Sequence, residues 1–198
     1  MRCLLCAVAF FGAMIVPCAV EGAPVFALAF LDGPSENPAN ASPGSGFATV
    51  SFDIVAHLLS VDVSFMDLLG PTTAAHIHGP AVAPANASVI TATPTFPGFP
   101  LGVTSGAYSM VFDTLDTATY RAGFVTDNGG TAAGAEVAFF NAFTSGQTYF
   151  NIHTTSFPGG EIRGFLQPVP EPTSVVLFGV GALGLIGYIR RRKHVPEG

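Results

Sequence analysis

Tryptophan is absent from this chain of 198 residues, and its one lysine, Lys193, stands close to the C-terminus. The three cysteines, Cys3, Cys6 and Cys18, all lie near the N-terminus, so residues 23–168 hold neither cysteine nor lysine. That stretch therefore has no thiolate nucleophile, no disulfide, no cysteine metal ligand and no amine for Schiff-base or phosphate chemistry. Its only basic side chains other than histidine are Arg121 and Arg163, set against Asp32, Glu36, Asp53, Asp62, Asp67, Asp113, Asp116, Asp127, Glu136 and Glu161. An acidic surface of this kind excludes a nucleic-acid partner, which demands a basic patch. There is also no Gly-x-Ser-x-Gly elbow and no His-Glu-x-x-His helix, and the carboxylates are too scattered to form a hydrolytic pair. Without tryptophan and with few tyrosines, a carbohydrate-binding or adhesive surface is disfavoured too.

The long apolar runs sit at the two ends. Arg2 gives a positive start, Leu4 to Val16 an apolar core, and Val20-Glu21-Gly22 a small-residue cleavage site, so residues 1–22 read as a secretory signal peptide whose removal takes every cysteine with it. At the other end Val169-Pro170-Glu171-Pro172 is followed by an uncharged apolar run over residues 173–189 and then by Arg190, Arg191, Arg192 and Lys193. As a helix, about seventeen residues rise roughly 25 Å, the short end of what spans a bilayer core. The basic cluster would hold the C-terminal end, residues 194–198, in the cytoplasm. The prolines remove backbone donors and disfavour helix before them, leaving a stiff extended segment for a protease to grip. Gly179-Val180-Gly181-Ala182-Leu183-Gly184 matches the glycine spacing of a dinucleotide-binding loop, but no βαβ unit or acidic residue follows, and small residues in a membrane helix explain it. Motif, span and basic stop in this order, over residues 169–193, resemble the PEP-CTERM sorting signal of Gram-negative bacteria. That resemblance implies export by the Sec machinery, a precursor held in the inner membrane, and an exosortase as partner.

Residues 23–168 are long enough for a single core without disulfides. Ala48, Val50, Phe52 and Ile54 alternate with polar residues, as do Leu59, Val61, Val63 and Phe65, predicting two half-buried strands joined in a hairpin near Ala56-His57. Further strands are expected at 25–31, 72–78, 88–92, 106–112, 148–153 and 161–166, and one short helix at 133–144, stopped by Gly146. The fold class is all-β, an antiparallel sandwich or barrel with one short helix, plus the C-terminal transmembrane helix.

Two histidine motifs stand out: Ala75-His76-Ile77-His78-Gly79-Pro80, and Asn151-Ile152-His153-Thr154 followed by Pro158-Gly159-Gly160-Glu161-Ile162-Arg163-Gly164. With the opening Phe26-Ala27-Leu28-Ala29-Phe30-Leu31-Asp32-Gly33-Pro34-Ser35-Glu36-Asn37-Pro38 they resemble the CHRD domain, named after chordin, across essentially all of 23–168. The stretch 83–99, unusually rich in proline, alanine and threonine, departs from that pattern. The resemblance implies an immunoglobulin-like or superoxide-dismutase-like β-barrel without a defined biochemical role.

On a strand His76 and His78 project to one face and Ile77 to the other, while His153 shares a face with Asn151 and Tyr149. Two readings follow. In the first, the three imidazoles hydrogen-bond to loop backbone and to Glu36 or Glu161, pinning one end of the barrel. In the second, His76, His78 and His153 ligate zinc or copper, with Glu161 or Glu36 as a fourth ligand. Glu161 and Arg163 form either a charged recognition patch or internal braces to loops, and the glycines around them serve tight turns or close strand approach. His57, in a turn, and His194, beyond the span, are not site candidates. The expected function is non-enzymatic, binding or structural, at the cell surface or in extracellular polymer such as polysaccharide. The alternative is a periplasmic or surface metal protein, a redox-active one included.

Overall fold

The computed structural model describes residues 22–169 and, beyond them, position 183 alone. The signal peptide expected over 1–22 and the sorting tail over 169–193 thus lie, apart from these positions, outside the described residues. Among the described residues no helix is long and apolar enough to cross a membrane.

Eight strands form one antiparallel sheet: β1 (Val25–Asp32), β2 (Ser45–Asp53), β3 (Leu58–Met66), β4 (Thr72–His78), β5 (Gly106–Asp113), β6 (Tyr149–Thr154), β7 (Ile162–Phe165) and β8 (Gln167–Pro168). Their spatial order is β4-β6-β7-β1-β2-β3-β5, with β8 also paired to β1. The expected hairpin is β2–β3, in the register Ala48↔Val63, Val50↔Val61 and Phe52↔Leu59, which puts all six apolar side chains on one face. Its turn is closed by Asp53, whose Oδ1 accepts from the amides of Val55 and Ala56, and His57 takes the left-handed conformation at φ 59°.

Between β5 and β6 come α1 (Ala122–Asp127) and α2 (Ala132–Thr144). Helix α2 is capped by Thr131, whose hydroxyl accepts from Gly134 N, and ends two residues before the left-handed Gly146 (φ 66°), as the sequence indicates. It lays Phe139 and Phe143 against Phe52 at ring-centroid distances of 5.2 and 5.9 Å. All three rings are buried with Ile77, Phe96, Phe150 and Ile152 in one core. Each side chain buried so completely contributes about 2–3 kcal/mol relative to exposure.

Three expectations need correcting. Neither two packed sheets nor a closed barrel forms: the single sheet is a half-barrel whose end strands, β4 and β5, do not pair. Residues 88–92 are no strand, since Val89 and Thr91 make only isolated bridges, to His78 and Tyr120. Pro84 before this segment and Pro94, Pro97 and Pro100 after it lack amide donors, so no ladder extends in either direction from it. It follows the free edge of β4 instead, with Ile90 N donating to Ile77 O (2.9 Å), Phe96 N to Ala75 O (3.2 Å) and Gly102 N to Thr72 O (2.9 Å). The hydroxyls of Thr91 and Thr95 accept from the amides of Ile77 and Ala75. Toward β5 it closes with rings: Phe96 meets Phe112 at 5.4 Å and Phe99 meets Tyr108 at 5.4 Å. This irregular segment thus covers a sheet edge that would otherwise be open to foreign strands. Third, α1 is a second helix where one was expected. It carries Gly123 and the β-branched Val125 and Thr126, and it forms because Phe124 and Val125 are buried.

The core and strands β1 to β7 fall within residues 23–167, so that segment expressed alone should fold. Circular dichroism should show strand signal and a cooperative melt; a disordered chain would refute a self-sufficient domain.

A buried histidine cluster as candidate functional site

Strands β4 and β6 pair with Ala74↔His153, His76↔Asn151 and His78↔Tyr149, and β7 continues the row with Asn151↔Arg163 and Tyr149↔Phe165. Alternation sends Ala75, Ile77, Phe150 and Ile152 to the core and these polar partners to the opposite face. On β1 to β3 that outer face is open, with Phe30 79 % exposed. Over β4, β6 and β7 it is roofed by loops, so His76 and His78 are buried, as are Asn151 and Arg163.

Each imidazole is held by one loop carbonyl. His76 Nε2 donates to Pro94 O at 2.7 Å, His78 Nδ1 to Ala87 O at 3.0 Å and His153 Nδ1 to Pro158 O at 3.0 Å. A carbonyl only accepts, so each ring carries its proton on that nitrogen, and the other nitrogen is a bare lone pair. Those remaining atoms, His76 Nδ1, His78 Nε2 and His153 Nε2, are buried without a hydrogen-bond partner. Burial holds the pKa of His76 and of His78 down at about 4, although the carbonyl bonds pull upward, and it lowers that of His153 as well. All three rings are neutral at physiological pH. Their centroids lie 5.3 to 5.9 Å apart, and His78 stacks on Tyr149 at 4.9 Å. One ligating atom from each falls within 4.8 Å of the others.

The expected loop-backbone bonds of the histidines are present, but Glu36 and Glu161 are not their partners. The carboxylate of Glu161, fully buried, accepts from Ser42 Oγ, Thr154 Oγ1 and Leu69 N, each at 2.6 Å, and from Gly70 N at 3.3 Å. Burial alone would raise its pKa; the four hydrogen bonds outweigh burial and lower it. With its oxygens so engaged, Glu161 is not a metal ligand. Arg163, equally buried, donates to Ser35 O, to Asn86 Oδ1 (2.6 Å) and to Pro84 O (2.8 Å), and its guanidinium lies 4.9 Å from the centre of the Tyr149 ring. Glu36 stands 3.8 Å away, and burial pushes its pKa up to about 7 against the pull of Arg163. The charged recognition patch is thereby corrected: both residues of the motif are interior braces that fasten loops to the sheet. Gly164 permits the close approach of β7 to β1, since a Cβ there would run into the Phe30 carbonyl.

Another pair escaped sequence reasoning. His57 Nδ1 lies 2.9 Å from Glu136 Oε1, and the same buried carboxylate accepts from Thr114 Oγ1, tying the hairpin turn to α2. Nothing in the spacing of residues so far apart signals that contact. At the domain's far end, Val169 N donates to Phe26 O at 2.8 Å, while the other sorting-motif residues, Pro170, Glu171 and Pro172, and the basic Arg190 to Lys193 lie outside the described residues.

Comparison with known families finds a CHRD domain over residues 28–166 and a PEP-CTERM protein-sorting motif over residues 168–193. No curated protein and no solved structure matches the chain.

Proposed function

Because this chain belongs to the CHRD domain family and carries a PEP-CTERM protein-sorting motif, we propose that it is an exported, non-enzymatic envelope protein, delivered outside the inner membrane and released there by an exosortase. The observation that carries this reading is the junction between the two regions. The domain match ends at 166 and the sorting match begins at 168, inside β8, so no linker separates the domain from the signal. The leader at 1–22 supplies entry to the Sec pathway, the run at 173–189 the temporary anchor, and Arg190 to Lys193 the stop that keeps the C-terminus cytoplasmic. The destination is the cell surface or extracellular polymer, with polysaccharide as the neighbouring matrix. A binding or structural role suits the domain because its conspicuous charged side chains, Glu161 and Arg163, are engaged in bracing loops and leave no exposed acid-base pair on that motif.

The test is Glu171→Ala in the native host. Wild type should appear outside the membrane shortened at its C-terminus, and the variant should remain in the inner membrane at full length. Mass spectrometry that finds Arg190 to Lys193 still attached to exported wild-type protein would reject release by processing.

A further inference from the structure

The loop-held imidazoles of His76, His78 and His153 have the form of a ligand set, and we propose that they bind one late first-row transition-metal ion of the zinc and copper class. The proposal concerns the domain and does not depend on how the tail is processed.

The first support is the hydrogen bonding. An imidazole that ligates a metal commonly donates its other N–H to a carbonyl or carboxylate, which fixes the tautomer and aims the lone pair. Here that arrangement occurs three times, with Pro94 and Ala87 of the β4–β5 connection and Pro158 of the β6–β7 loop as the acceptors. The second is energetic. A buried polar atom left unpaired costs about 1–3 kcal/mol, and this cluster holds three such atoms, all lone pairs, with no donor among them. Three converging acceptors repel one another, and a cation relieves all three at once where a single proton satisfies at most two. The third is donor chemistry. Neutral nitrogen ligands without thiolate or carboxylate suit zinc and copper and do not suit magnesium or calcium, which require oxygen.

Distances set what binding must do. Three nitrogens around one metal at 2.0–2.1 Å stand about 3.4 Å apart, whereas here one ring nitrogen from each histidine lies within 4.8 Å of the others. The rings must therefore draw in by roughly an ångström, a change within reach of small side-chain rotations. Asn151 Oδ1, buried, unpartnered and opposite His76 in register, is a spare oxygen on the same face. The nearby charge of Arg163 opposes a cation, and the carboxylate of Glu36, 3.8 Å from that guanidinium, offsets it when ionised.

The experiment uses the full chain purified in detergent, stripped with chelator and titrated calorimetrically with zinc sulfate or copper(II) sulfate. About one equivalent should bind with micromolar affinity or better, and His76→Ala, His78→Ala and His153→Ala should each weaken binding roughly 100-fold or more, beyond the loss expected for an outer-shell partner. His57→Ala, outside the cluster, should bind as wild type does. Should an alanine variant fail to fold, the electron paramagnetic resonance spectrum of copper-loaded wild type decides alone, since three imidazoles impose nitrogen hyperfine structure on it. Absence of stoichiometric binding, a copper spectrum without nitrogen coupling, or unchanged affinity in folded variants of all three positions would overturn the proposal.

Discussion

Glu161→Ala is expected to destabilise the isolated domain by about 4–5 kcal/mol, a loss at the upper end for single substitutions. The carboxylate is a four-way junction: Ser42 reaches it from the loop before β2, Leu69 and Gly70 from the loop before β4, and Thr154 from the end of β6. Truncation strips the acceptor from the buried hydroxyls of Ser42 and Thr154, from the buried Gly70 amide and from the half-buried Leu69 amide. Glu161→Gln should cost less but still destabilise, because the amide turns a donor toward groups that themselves donate. Urea denaturation of residues 23–167 and its two variants measures both, and a Glu161→Ala midpoint within error of wild type would remove the junction from the account.

Acidification between pH 6.5 and 4.5 should weaken the metal-free domain, with the histidine cluster as the principal cause. The unfolded chain protonates its histidines near 6.5, whereas burial keeps His76 and His78 neutral down to about 4 and lowers His153 as well. Groups whose pKa is lower in the folded state contribute stability that is complete above 6.5 and lost as the pH falls; taken alone, each of the first two amounts to about 3 kcal/mol. Glu36 works the other way. Its pKa, raised from 4.5 to about 7, makes the folded state hold a proton that the unfolded chain releases, so its contribution is complete below 4.5 and disappears as the pH rises to 7. Three histidines against one carboxylate leave a net loss on acidification. Glu161, with its depressed pKa, adds to that loss only below the ordinary carboxylate range. Removing the opposing group by Glu36→Gln should steepen the fall. Melting temperatures recorded in chelator across this range, flat or rising toward acid in wild type, would contradict the assignment.

Much of this was legible in the residue pattern because alternation is a local signal. The inward rows of β2 and β3 follow directly from Ala48, Val50 and Phe52 facing Val63, Val61 and Leu59, and strand parity put His76 and His78 on one face and His153 on the face of its strand away from Phe150 and Ile152; the pairing of β4 with β6 is what joins the two. The loops were not legible. Whether the sheet closes depends on how residues 89–105 run along β4, and their proline content reports only that they cannot form a ladder. The partners of Glu161 and Arg163 come from segments distant in sequence, each a backbone group or small polar side chain with no pattern of its own. The sequence suggested carboxylates beside the histidines; the fold uses them as braces and gives the histidines carbonyls instead. Helix α1 was missed because its propensity is poor and its existence rests on two buried side chains.

The pairing of β8 with β1 has a mechanical consequence. Pro168 lies opposite Ala27 and Gln167 opposite Leu28, so the polypeptide enters and leaves the domain at neighbouring points on one edge of the fold. A molecule tethered through its tail would therefore hang from a single stem, with β1 beside the stem's root. Tension on that stem acts first on two register positions and the Val169 amide, which peel one after another, and reaches the eight-position ladder between β1 and β2 only afterwards. The attachment can lengthen under load by several residues of extended chain while the histidine cluster and the core stay folded.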